Sequence, residues 1–203
     1  MKKQATSVLI LYNKTRKAIL IKNILIHPLK GVKKMDAMEA ILSRRSVRKY
    51  NKKSLSDKDI KELLEAAMSA PSAGNQQPWH FILIDDPEIL GKIPTFHKHA
   101  HMLRDASIAI LVCGDLNLEK HKGMWVQDCS AATQNILLAV RAKGLGAVWL
   151  GIYPREERLE GMKNLTKLPE NVIPFSLISI GDPAEKQGKV NRYDDSRIHH
   201  NTW

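Results

Sequence analysis

Within five residues, Arg44-Arg45-Ser46-Val47-Arg48 brings together three guanidiniums and a hydroxyl. Such a set suits a phosphate, which it would hold by charge-assisted hydrogen bonds. A solvated basic surface has the same spacing, so the cluster alone leaves both readings open. A second set is the loop Pro71-Ser-Ala-Gly-Asn-Gln-Gln-Pro78. Its small residues permit close backbone approach to a flat ligand, and the amides of Asn75, Gln76 and Gln77 both donate and accept. An ordinary helix-to-strand connection has the same composition.

Other candidates are weaker. Gly144-Leu-Gly146 follows a helical stretch rather than a strand, and Trp149 stands where a dinucleotide fingerprint needs its third glycine. Gly144 reads as a helix stop, whereas Gly151, after the strand-like Ala147–Leu150, is free to offer backbone N–H groups. His97, His99 and His101 share one face of an extended segment, but no carboxylate or thiolate stands by to complete a coordination shell. They read as a solvent-facing loop, and no metal is expected. There is no Gly-x-Ser-x-Gly elbow, His-Glu-x-x-His pair or P-loop, so an enzyme built on this chain needs a cofactor to carry the reactive atoms.

The elements that must position these residues follow from periodicity. Met38, Ile41 and Leu42 give a short amphipathic helix that ends at the arginines. Ser56 with Asp59 reads as an N-cap, Leu55 and Ile60 as a hydrophobic staple, and Ile60, Leu63, Leu64, Ala67 and Met68 as one apolar face before Pro71. Strands are expected at Trp79–Ile84, Ile108–Cys113, Ala147–Ile152 and Phe175–Ile180, with Gly181-Asp-Pro183 turning the chain into a polar tail. Asp86-Pro87 and Pro154 read as starts of short helices. A long helix is expected from about Met124 to Lys143, with Ala131, Asn135, Leu138 and Ala142 on one face, flanked by Ile136, Leu137 and Val140.

With 203 residues and 43% apolar content the chain is globular in composition, and every apolar run is interrupted before it is long enough to span a bilayer. Its net charge of +11 suggests a nucleic-acid partner only if it is spread over the fold. Nine of the eleven charges lie in residues 1–34, which contain no acid, and the remaining 23 bases and 21 acids nearly cancel. Neither nucleic acid nor membrane is therefore expected as a partner. Residues 1–34 read as a basic leader, appended or mis-assigned; a transit peptide and a natural start at Met35 are the other readings. Residues 35–203 read as a single domain. Cys113 and Cys129 read as small buried hydrophobes, and two cysteines without a disulfide framework point to a reducing cytoplasm.

Taken together, Arg44-Arg45-Ser46-Val47-Arg48-Lys49-Tyr50, Pro71-Ser-Ala-Gly-Asn-Gln-Gln-Pro-Trp79-His-Phe81, Gln127-Asp-Cys-Ser-Ala-Ala-Thr-Gln-Asn135 leading to Gly144-Leu-Gly146-Ala-Val-Trp149-Leu-Gly151, and Ile180-Gly-Asp-Pro183 resemble the nitroreductase family of flavoproteins. The resemblance runs from about Met35 to the C-terminus. It implies an α+β fold with a central, mainly antiparallel sheet flanked by helices, in an intertwined homodimer whose C-terminal tails are swapped and whose interface holds FMN. It implies FMN contacts from Arg44, Arg45, Ser46, Arg48 and Arg192, from Pro71, Ser72, Ala73 and Asn75 toward the flavin of the other subunit, and from the backbone of Leu150 and Gly151 near flavin N5. The implied activity passes reducing equivalents from NADH or NADPH through flavin N5 to a small acceptor such as a nitroaromatic or quinone, with no catalytic side chain. A non-catalytic flavin-storing protein and a specialised member such as a reductive dehalogenase are the alternatives. The segment between Ile108–Cys113 and Met124 is short for the family, and extra helices often cover the active site there.

Overall fold

The computed structural model describes residues 35–188 and 190–203; the basic leader expected at 1–34 lies outside them. In chain order the regular elements are α1 (Ala37–Ser43), β1 (Tyr50–Asn51), α2 (Asp57–Met68), β2 (Trp79–Ile84), α3 (Pro87–Lys92), β3 (Ile108–Asp115), α4 (Trp125–Ala142), β4 (Gly146–Gly151), α5 (Glu156–Thr166) and β5 (Val172–Pro183). Side-chain caps start three of the helices: Asp36 accepts from the Glu39 N–H, Ser56 from Asp59 and Asp86 from Glu88. Helix α4 stops at Gly144, which takes the left-handed conformation at φ 74°.

Strand β5 organises the sheet. It pairs with β3 (Ile108 opposite Ile180) and with β4 (Ala147 opposite Ile180), and its last residues pair with β1 (Tyr50 opposite Pro183). Strand β2 adds to β3, with Trp79 opposite Gly114. All of these pairings are antiparallel. Strand β3 is buried on both faces: Ile108, Ile110 and Val112 meet Leu63, Ala67, Ala132 and Ile136 of α2 and α4, while Ala109, Leu111 and Cys113 meet Leu90, Leu103 and Met162 on the other side. The architecture is thus α+β, an antiparallel sheet between two helical layers. Burial pushes the Cys113 thiol up to about 12 and raises that of Cys129 as well, so both remain protonated.

Several sequence expectations shift. The buried stripe of α4 is Trp125, Asp128, Cys129, Ala132, Thr133, Ile136, Leu137 and Val140, so Ala131, Asn135 and Leu138 lie at its margin and Ala142 is exposed. Thr133 is admitted because its hydroxyl donates to the Cys129 carbonyl and meets Ser176 Oγ at 2.8 Å. Strand β5 runs through Gly181–Pro183, and α5 begins at Glu156 rather than at Pro154. On α1 the apolar residues Met38, Ile41 and Leu42 face outward, and the tail leaves Tyr193, Ile198 and a fully exposed Trp203 uncovered.

Candidate functional site

The arginine segment is fixed to the sheet by its own backbone. The Val47 N–H donates to the Ala147 carbonyl at 2.9 Å beside the bridge between Ser46 and Ala147. The buried Tyr50 hydroxyl donates to the Val47 carbonyl at 2.7 Å, with the Ser179 carbonyl at 3.2 Å, and burial pushes its pKa up to about 12. The Arg48 N–H donates to Glu185 at 2.8 Å, while the Arg48 side chain is exposed.

A cavity of about 590 Å³ opens between this segment, the C-terminal end of α4 and the chain after β5, with Arg44, Arg45, Arg141, Glu185 and Lys186 on its wall. Arg44 is held below its ordinary pKa, first by burial and then by the facing charges of Arg192 and Arg45. Arg192 itself is exposed in the tail and is not part of the cavity wall. Among the described residues none of Arg44, Arg45, Arg141 and Arg192 forms an ion pair with a carboxylate. Arg45 is largely committed to backbone: it donates to the carbonyls of Leu42 at 3.0 Å, Arg44 at 2.6 Å and Val190 at 3.3 Å, and its buried Nε has no partner. Arg141 donates to Ser43 Oγ at 2.8 Å; its position in the α4 periodicity carried no signal of this role.

The loop Pro71–Pro78 lies at the other end of α4. Gly74, Asn75 and Gln77 all have φ near +50° (52°, 54° and 47°), a region that side chains disfavour. A Cβ on Gly74 would also collide with the His121 ring. The buried Asp128 accepts from the Ala73 N–H at 2.9 Å and from Gln76 Nε2 at 2.6 Å, and Gln76 Oε1 accepts from the N–H groups of Lys120 at 2.8 Å and His121 at 3.0 Å. Gln76 is thus fully engaged inside the protein. Pro71 and Asn75 are exposed, and Ser72 and Ala73 half-buried. Asp128 and Arg141 are thirteen positions apart on α4, or about 20 Å along its axis.

Strand β4 leads from the arginine segment at Ala147 to Gly151, a run of about 13 Å. Leu150 is buried, whereas Gly151 is half-exposed, and its carbonyl accepts from Arg158 Nη1 at 2.6 Å. Behind it lies His97, which the sequence places in a solvent-facing loop. The structure corrects this: His97 is 2% exposed, and neither ring nitrogen has a hydrogen-bond partner. Burial, followed by the Arg158 charge, lowers its pKa. Ile93, His97, Ala100 and Leu103 are all buried, a spacing of three and four residues in which His97 falls among apolar positions. Among the described residues no group of three His, Cys, Asp or Glu side chains is placed to hold a metal.

A family model described as the nitroreductase family matches residues 41–103 and 95–182. The chain belongs to the nitroreductase family. It is 52% identical over 172 residues, 85% of this chain and 90% of the relative, to a protein of Methanothermobacter thermautotrophicus with the provisional name NADH dehydrogenase/NAD(P)H nitroreductase. A crystal structure of a Parabacteroides distasonis protein with the same provisional name superposes at a TM-score of 0.79 with 40% identity, covering 82% of this chain and 98% of that one. A structure provisionally called a nitroreductase, in complex with FMN, from Desulfovibrio desulfuricans superposes at 0.71 with 31% identity, covering 82% and 97%. The nitroreductase motifs thus fall on the basic cavity, the strained loop and the end of β4.

Proposed function

We propose that this nitroreductase-family oxidoreductase binds FMN, uses NADH or NADPH as co-substrate, and reduces a small acceptor such as a nitroaromatic or quinone. The observation that carries this reading is a cavity of about 590 Å³ walled by Arg44, Arg45 and Arg141, none of them ion-paired to a carboxylate among the described residues, an arrangement of like charges that a phosphate dianion relieves. The donor set fits FMN: guanidiniums and the Ser46 hydroxyl for its phosphate, the Gly151 backbone N–H for its ring edge with Leu150 beside it, and β4 to connect the two. The FMN complex of the Desulfovibrio relative and the NAD(P)H in the name of the Methanothermobacter relative support the same assignment.

Bound FMN supplies hydride acceptance and donation at N5, which no side chain of this protein offers. The protein's own work is to bind, orient and exclude water. Arg44 and Arg192, with Ser46, hold the phosphate end. Arg158 fixes the Gly151 carbonyl and so the backbone that meets the ring. Arg48 brings positive charge toward the ring edge. Pro71, Ser72, Ala73 and Asn75 shape the wall contributed by a second subunit.

The functional unit in this reading is a homodimer with exchanged tails. Met38, Ile41 and Leu42 on α1 and Ile198 and Trp203 in the tail are apolar surfaces that a single chain leaves in water. The two unpaired thiols fit a reducing cytoplasm, and no helix among the described residues is long and apolar enough to cross a membrane.

The test is the visible spectrum of the purified protein, then anaerobic addition of NADH and NADPH. Flavin bands bleached by either nucleotide are expected. Bound FMN that neither nucleotide bleaches would indicate flavin storage, and a protein that FMN cannot reconstitute would sink the reading.

A further inference from the structure

Asp128 lies 4% exposed in the first turns of α4, and Gln76 is 6% exposed. Among the described residues no cation pairs with the carboxylate. A buried carboxylate without a counter-charge is costly, and here its compensation is two directed donors, the Ala73 N–H and Gln76 Nε2. Gln76 passes the connection on, because its other end accepts from the Lys120 and His121 N–H groups. Two side chains therefore join three segments: the loop, α4 and residues 120–121. The backbone they grip is the part of the loop with three φ values near +50°. Such a conformation persists only where its surroundings over-determine it.

We infer that Asp128 and Gln76 are positioning residues for the cofactor. They hold the Pro71–Asn75 backbone in the one shape that presents Pro71, Ser72, Ala73 and Asn75 to the flavin. This rests on the flavin reading given above. The polarity of the network makes it specific. Asp128 offers only acceptors, Gln76 must turn its amide nitrogen toward Asp128 and its oxygen toward Lys120 and His121, and no other assignment satisfies all four bonds.

That polarity dictates the experiment, made on the full chain in its native oligomer. In Asp128→Asn, the new amide nitrogen meets either Gln76 Nε2 or the Ala73 N–H, and turning Gln76 moves the clash to Lys120 and His121. The double variant D128N/Q76E restores every bond. The carboxylate introduced at position 76 accepts from Lys120, from His121 and from the amide nitrogen introduced at position 128, whose amide oxygen accepts from the Ala73 N–H. We expect FMN dissociation constants at least about tenfold weaker in D128N and within about threefold of the parent in the double variant. Hydrogen exchange without FMN should be faster at Ala73, Lys120 and His121 in D128N and slow again in the double variant. If D128N does not fold, Gln76→Met, which keeps the Asp128–Ala73 bond, carries the same expectation. An unchanged FMN affinity in folded D128N, or a folded double variant no better than the single one, overturns the inference. A parent protein that binds no FMN overturns the flavin reading first, and the exchange data then show whether the loop is still gripped.

Discussion

At the N-terminal end of α4 the buried Asp128 meets two donors, and every polar atom of the Gln76–Asp128 pair has a partner. At the C-terminal end Arg141 shares a cavity with Arg44 and Arg45, none of them ion-paired to a carboxylate among the described residues, and the charge of Arg192 in the tail adds to the burial that holds the Arg44 pKa down. One end is complete as it stands; the other is charged and unneutralised. The difference separates two ways of preparing a binding site. A satisfied network fixes shape in advance and lowers the ordering cost of binding, whereas opposed like charges store a repulsion that only an anion removes.

The largest effect should come from emptying the charged end. Arg44→Ala with Arg192→Ala removes two charge-assisted contacts worth about 1.5–3 kcal/mol each, and titration should show FMN binding weakened on the order of 100-fold or more. The same variant, free of FMN, should melt no lower than the parent because the repulsion has gone. A large fall in its melting temperature would show that these arginines hold the fold instead. The shaped end should respond the other way. Gly74→Ala meets both the positive φ and the His121 ring and should cost about 1–3 kcal/mol, seen as a lower melting temperature even without FMN.

A smaller effect concerns His97, which backs the Gly151 end of β4. Its folded pKa lies below the ordinary value, so the neutral ring is the form the fold favours. The stability it contributes is present above about pH 6.5 and is lost as pH falls through the folded value. Arg158, His99 and the Gly151 carbonyl are the groups that act on it. Denaturant unfolding at pH 5.5 and 7.5 should show a stability difference that shrinks in His97→Leu. Least of all should come from Lys143→Met. Lys143 pairs with Asp59 at 2.8 Å and with Glu62 at the surface, outside both binding regions, and its loss should cost less than about 1 kcal/mol without changing FMN affinity.

The legibility of the molecule divides along similar lines. Strand β2 appears with the limits read from its apolar run, because a strand between Pro78 and Asp85 has little freedom to slip. The helix starts at Ser56 and Asp86 follow from caps, which are local chemistry. Strand β5 outruns its expected end because Gly181–Pro183 has the composition of a turn, and only the two-residue β1, too short to show a pattern, keeps it extended. Residue types and spacing make the arginines and the loop candidates, and the family motifs add the roles. The role of Asp128 is not legible because a buried carboxylate is spelled like an exposed one, and its donors are 52 and 55 positions away in the chain. His97 is different: it keeps three- and four-residue spacing with the buried Ile93, Ala100 and Leu103, but its alternation with His99 and His101 has the pattern of a solvent-facing segment.

The helix that joins the two binding regions also sets a rule for how this chain tolerates change in length. One residue inserted into α4 advances everything beyond it by about 1.5 Å and swings it through about 100°, so Arg141 would leave the cavity while Asp128 stayed on its loop. Seven residues would nearly restore the angle, but at a displacement of about 10 Å. The connection between β3 and α4 can lengthen before Lys120 without altering the phase between anchor and charge, whereas a change at Lys120 or His121 would break the bonds that Gln76 accepts from them. The mid-section of α4 is a fixed dimension of this enzyme, and engineered variants that seek a larger cover over the site should be extended at residues 116–119, ahead of the Lys120 and His121 anchors.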